Sequence, residues 1–219
     1  MLQVHILTIF PEMFASPFAE SIIRRAIDKG TLSISIHDLR KWTKDKHRSV
    51  DDKPFGGGPG MVMMVEPIYL AIEEIKAQLN EDPFIIVTGA KGKQFNQQAA
   101  EELSKKSSII IICGRYEGID QRVVDHIADT EYSIGPYVLT GGELPAMVMT
   151  DSISRLLPDV LGNSESLDYE SHSAEGVLEA PQYTRPAEFT TADGQIWAVP
   201  EILLSGNHQA IDEWRKNQG

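Results

Sequence analysis

Residues 108–114 read SIIIICG, four isoleucines and a cysteine in succession with no polar side chain to mark a solvent face. Strict alternation would describe a half-buried strand. A short, unbroken apolar run ending at a glycine describes a strand covered on both faces, as parallel strands between helical layers are. FIIVTG at 84–89 repeats the pattern. Outward from these two, 2–10 (LQVHILTIF), 32–38 (LSISIHD) and 131–135 (EYSIG) read as further strands. The segments between them have helical spacing: 18–30, closed by Gly30; 67–79, with Pro67 in its first turn; 95–106; 117–128; and 142–157. Strand and helix alternating this far predict an α/β fold with a parallel sheet.

The expected division is an α/β domain over residues 1–159, a Ser-, Asp- and Glu-rich linker over 160–176, and a small helical C-terminal domain over 177–219. In the last, Asn207 is placed to cap a helix. The chain has 219 residues, 42% hydrophobic and 24% charged, the balance of a soluble globular protein. No apolar stretch approaches the roughly 20 residues that span a bilayer, so no membrane partner is expected. One cysteine, Cys113, rules out an internal disulfide, and a reducing cytoplasm is the expected location. The six histidines show no metal-ligand spacing, and no metal site is read from the residues.

A net charge of −12 argues against nucleic acid binding over the whole surface. Between Arg24 and Lys53, however, nine Lys and Arg stand against five acids. Within that segment Lys46, His47 and Arg48 are candidates for phosphate contacts, with a solvated mixed-charge loop as the alternative. The segment leads into VDDKPFGGGPGM at 50–61. That glycine run lacks the Lys-Ser/Thr of a phosphate-binding P-loop, and Met61 stands where a dinucleotide fingerprint needs its last glycine. Gly89 and Gly92 in VTGAKGKQF could aim amides at an anion, although tight turns often use glycine for geometry alone. Trp42 and Trp214 are candidates for base stacking, Trp214 with packing as its plainer role. Cys113 reads as a buried small hydrophobe.

Three glycine-bearing loops follow successive strands: TGAKG, CGRYEGID and SIGPYVLTGGELPA. Parallel sheets bind ligands beyond the carboxyl ends of their strands. Converging there, the loops would form a pocket rich in main-chain polar groups, suited to an adenine and ribose, with Tyr116, Ile134, Val138 and Leu139 as apolar walls.

TIFPEMF, DKHRSVDDKPFGGGPGMVM, CGRYEGIDQRV, SIGPYVLTGGELPAM, RLLPDVLGN, EAPQYTRP and EILLSGNH, in this order and near this spacing, resemble the bacterial tRNA (guanine-N1)-methyltransferases of the SPOUT class. The resemblance runs from Met1 to the last helix. It implies a deep trefoil knot, which physics alone would make rare, and a homodimer with active sites at the interface. It also implies S-adenosylmethionine as methyl donor, stimulation by Mg2+, and the guanine immediately 3′ of the tRNA anticodon as acceptor. The implied cofactor pocket comprises Thr88, Gly89, Gly114, Tyr116, Ile134, Gly135, Pro136, Tyr137, Val138, Leu139, Gly141, Gly142 and Pro145. Gly56, Gly57, Gly58, Pro59, Gly60 and Met61, with the basic residues before them, are implied to hold the tRNA. Arg155 matches an essential arginine, and Glu170 stands at the position of the catalytic aspartate. Three positions depart from the family: Pro136 replaces an aspartate, VTGAKG is longer than the usual turn, and ESH at 170–172 replaces DSF or DSH. The chain ends at EWRKNQG, where the family commonly continues with more helix. A non-catalytic RNA-binding module that retains the fold is the alternative function.

Overall fold

The computed structural model describes residues 1–161 and 179–218. Contacts divide the chain into two units, Met1–Gly162 and Asn163–Gly219. In chain order the strands of the first are β1 (Leu2–Thr8), β2 (Leu32–Asp38), the two-residue β3 (Asp51–Asp52) and β4 (Val62–Met63), β5 (Phe84–Gln94), β6 (Ser108–Cys113) and β7 (Thr130–Ser133). Its helices are α1 (Ser21–Asp28), α2 (Val65–Lys76), α3 (Gln97–Ser104), α4 (Gln121–His126) and α5 (Glu143–Ser154). Five strands form one sheet in the order β2-β1-β6-β5-β7, every pairing parallel.

The central strand explains its own composition. Ile109, Ile111 and Cys113 of β6 join a core with Ala26 of α1, Ala100 of α3 and Met149 of α5. Ile110 and Ile112 join a second core with Ile68 and Ile72 of α2 and Val123 of α4. Because side chains alternate across a strand, both sets must be apolar. All six residues of β6 are buried.

The helices keep their expected places with shifted ends, and β5 is extended. α2 begins at Val65, before Pro67, so the proline lies within the first turn as expected. β5 does not end at Gly89 but continues to Gln94, with a bulge against β7: Thr88 and Lys93 both align with Tyr132. A Cβ on Gly92 would lie 2.6 Å from the Glu131 carbonyl, so this glycine permits strand approach. The anion role considered for it is not needed to explain it.

The described residues of the second unit comprise an antiparallel pair, β8 (Glu188–Thr190) and β9 (Ile196–Ala198), then α6 (Glu201–Leu204) and α7 (His208–Lys216). The Asn207 side chain caps α7 by accepting from the Ala210 N–H, as its sequence suggests. The hairpin went unread because three-residue strands are too short to show a period of two. Its turn is specified locally: Thr191 donates its N–H to the Gln195 carbonyl at 2.8 Å, and Gly194 takes φ +84°.

Candidate functional site

The three glycine-bearing loops converge as expected at the carboxyl edge of the sheet, around a cleft of about 190 Å³. Thr88, a buried residue of β5 directly before its bulge, organises two of them. Its hydroxyl donates to the Ile112 carbonyl (3.1 Å) and accepts from the Gly114 N–H (3.3 Å). The third loop, residues 134–142, is fixed at both ends. Ser133 Oγ donates to the Gly135 carbonyl (2.9 Å), and the Gly142 N–H donates to the Gly114 carbonyl (2.7 Å). At that crossing only glycine fits, since a Cβ on Gly142 would stand 1.9 Å from Thr88 Oγ1 and 2.6 Å from the Gly114 nitrogen.

Twelve of the thirteen expected pocket residues line this cleft: Thr88, Gly89, Gly114, Tyr116, Ile134, Gly135, Tyr137, Val138, Leu139, Gly141, Gly142 and Pro145. Pro136 is exposed and lies outside the lining. The Tyr137 N–H bonds back to the Gly135 carbonyl at 2.9 Å, a three-residue turn with Pro136 at its apex. The central residue of such a turn needs φ near −75°, which proline supplies.

Arg115 and Glu143 were missed by sequence reasoning. Glu143 is wholly buried, yet its carboxylate is satisfied: Thr8 Oγ1 donates to Oε1 and Arg115 Nε to Oε2, each at 2.8 Å. The same guanidinium donates to the Thr140 carbonyl (3.1 Å) and packs 4.5 Å over the Phe10 ring. One ion pair therefore ties β1, the 114–118 loop and the loop leading into α5. A glutamate directly after two glycines, at a helix start where the dipole favours an anion, is the signal that could have revealed it.

The hairpin of β3 and β4 is fastened to the same cleft. The Glu117 N–H donates to the Met61 carbonyl (3.0 Å), and the Met63 N–H to the Gly118 carbonyl (2.9 Å). Tyr116, in a left-handed conformation at φ 59°, also engages this hairpin. Burial first, and then its bond to the Asp51 carboxylate, raise its phenol above the ordinary value. Gly56, Gly57, Gly58, Pro59 and Gly60 are exposed on the hairpin loop, with Met61 half-buried at its end.

Lys46, His47 and Arg48 are exposed on a neighbouring turn organised by Asp45. The Asp45 carboxylate accepts from the Ser49 N–H and hydroxyl and the His47 N–H, and these bonds, led by the Ser49 backbone, hold its pKa down. The turn therefore presents three basic side chains to solvent. Of the tryptophans considered for base stacking, Trp42 donates its Nε1 hydrogen to Glu74 (2.7 Å), and Trp214 packs near Tyr183. Burial pushes the Cys113 thiol up, with the Glu143 charge adding to it, which suits a packing role.

Arg155 caps the carboxyl end of α5. The 12 residues of that helix separate it from Gly142, a rise of about 18 Å. Glu170 lies outside the described residues. Among the described residues no group of three or more His, Cys, Asp or Glu is placed to hold a metal ion. No helix there is long and apolar enough to cross a membrane.

Comparison with known proteins gives a consistent result. The family model for tRNA (Guanine-1)-methyltransferase TrmD matches residues 2–219. A tRNA (guanine-N(1)-)-methyltransferase of Citrifermentans bemidjiense is 52% identical over 217 residues, 99% of this chain and 84% of the relative. The Clostridioides difficile enzyme of the same name is 50% identical over 218 residues, 99% of this chain and 92% of that one. Among solved structures, the tRNA (m1G37) methyltransferase of Aquifex aeolicus superposes with a TM-score of 0.80 at 39% identity, over 99% of this chain and 90% of its own.

Proposed function

The chain belongs to the tRNA (guanine-N1)-methyltransferase family, and from that premise we propose that S-adenosylmethionine is its methyl donor, bound in the cleft at the sheet's carboxyl edge. The acceptor is N1 of the guanine immediately 3′ of the tRNA anticodon. The observation that carries this reading is the convergence of three glycine-bearing loops, closed by the Gly142–Gly114 crossing, into one cleft with apolar walls and open main-chain groups. The passage of residues 134–142 across the ends of β5 and β6 before α5 supports the trefoil knot of the family.

The donor supplies an electrophilic methyl group on a sulfonium. Guanine N1 carries a proton, so a base must remove it, and negative charge then grows on the neighbouring O6. Glu170 takes the proton, and Arg155 stabilises the charge at O6. Because Arg155 lies ten residues beyond Pro145, the cleft residue on α5 nearest to it, a helical rise of about 15 Å, Arg155 serves the cleft of a second subunit. Exposed Leu144 and Val148, one helical turn apart on α5, support that homodimer as an apolar face. The hairpin loop at 56–61 and the turn bearing Lys46, His47 and Arg48 hold the tRNA, as does the C-terminal unit. A non-catalytic RNA-binding module is not favoured, since the relatives that match nearly the whole chain carry the methyltransferase name.

Mass mapping of a tRNA transcript incubated with the protein and S-adenosylmethionine tests the assignment. One methyl group on N1 of that guanine is expected. Methylation elsewhere, or none despite bound tRNA, would overturn it.

A further inference from the structure

Phe55 is the most exposed of the large apolar side chains among the described residues, at 100%. Its display is built into the backbone. The Gly57 N–H donates to the Pro54 carbonyl at 3.3 Å, closing a four-residue turn with Phe55 and Gly56 at its centre. Gly56 has φ +84°, the value that the third residue of a type II turn requires. The ring is therefore held on the outer corner of a defined turn. A Cβ on Gly56, Gly57 or Gly58 would meet nothing within 4 Å, so packing does not demand these glycines. They leave a strip of bare backbone beside the ring.

The loop's base is bonded to the cleft loop through Met61 and Met63, and Lys53 directly precedes the turn. An isolated aromatic ring, uncovered main chain and nearby cations together match the requirements of an unpaired nucleic acid strand: a stacking platform beside backbone contacts.

We infer that Phe55 stacks on the nucleobase adjacent to the target guanine, outside the methyl-transfer cleft; the inference rests on the tRNA methyltransferase reading above. Guanine N1 lies on the base-pairing edge and reaches a donor in a pocket only when the base leaves its stack. Extrusion bares one face of the neighbouring base, and Phe55 covers it. A phenyl ring carries no hydrogen-bonding group, so the contact holds the strand without reading the neighbour's identity.

Steady-state kinetics of Phe55→Ala, Phe55→Leu and Phe55→Trp, alongside wild type, test this. Removing the stack with Ala or Leu should raise KM for tRNA roughly ten- to hundredfold, while Trp retains it. Thermal stability and affinity for S-adenosylmethionine should not move, because the ring packs against nothing in the fold. A second readout needs no chemistry: anticodon stem-loops carrying 2-aminopurine on one or the other side of the target guanine. Wild type and Phe55→Trp should quench one of the two probes, and Phe55→Ala neither. A wild-type KM in the Ala or Leu variant, or equal emission with wild type and Ala, overturns the stacking role while wild-type turnover leaves the methyltransferase reading intact. Absence of turnover in wild type with probe quenching retained would instead sink that reading and support the contact.

Discussion

Replacing Glu143 tests whether the buried ion pair holds the cleft together. In Glu143→Ala the Arg115 guanidinium, whose side chain is only 16% exposed, loses its anion, and Thr8 Oγ1 loses its acceptor. Removing one partner of a buried pair costs about 3–5 kcal/mol. For a domain of this size each kcal/mol lowers Tm by roughly 2–4 °C, so a fall of about 6–20 °C is expected. Glu143→Gln keeps the shape and the bond from Thr8 but loses the charge on the Arg115 bond. Charge-assisted bonds are roughly twice as strong as neutral ones, so the cost should be about 1–2 kcal/mol. Because Arg115 also holds the Thr140 carbonyl, both variants should weaken binding of S-adenosylmethionine. Urea unfolding and isothermal calorimetry measure the two effects. If the Ala variant unfolds within about 1 kcal/mol of wild type, the pair is not the constraint described.

Three further outcomes are expected. His5 Nδ1 and His37 Nε2 lie 2.9 Å apart in stacked rings; burial first, then His5 and Lys41, hold His37 down to about 4, with Glu74 opposing, and burial lowers His5. The unfolded chain therefore binds more protons between pH about 6.5 and about 4, so stability should fall as pH drops through that window; His37→Gln should flatten the profile, and an unchanged profile would refute the linkage. Neutralising Lys46 and Arg48 should reduce the slope of log affinity for tRNA against log salt by roughly one unit per lost phosphate contact, whereas an unaltered slope would make the turn a solvated loop. Mixing Arg155→Ala with Glu170→Ala chains should restore part of the activity if a site takes Arg155 from one subunit and Glu170 from the other; verified heterodimers without recovery would refute that division.

The parallel α/β class was legible because β6 and the first half of β5, residues 84–87, have no polar face, and only a strand between two helical layers tolerates that. The converging loops were legible because glycine-bearing turns after such strands share one edge of the sheet. Twelve of the thirteen expected pocket residues line the cleft for that reason, and Pro136 does not because a local turn directs it outward. The sequence also specified its caps, as Asn207 shows, since a cap acts within three residues. Other features needed the assembled molecule. Nothing local relates Glu143 to Thr8, 135 positions away, or explains why Gly142 must lack a side chain. The bulge of β5 depends on β7, and the extreme exposure of Phe55 on what fails to pack against it. Periodicity and capping are short-range constraints written into neighbouring residues, whereas ion pairs, chain crossings and exposure arise from contacts between distant segments that only folding brings together.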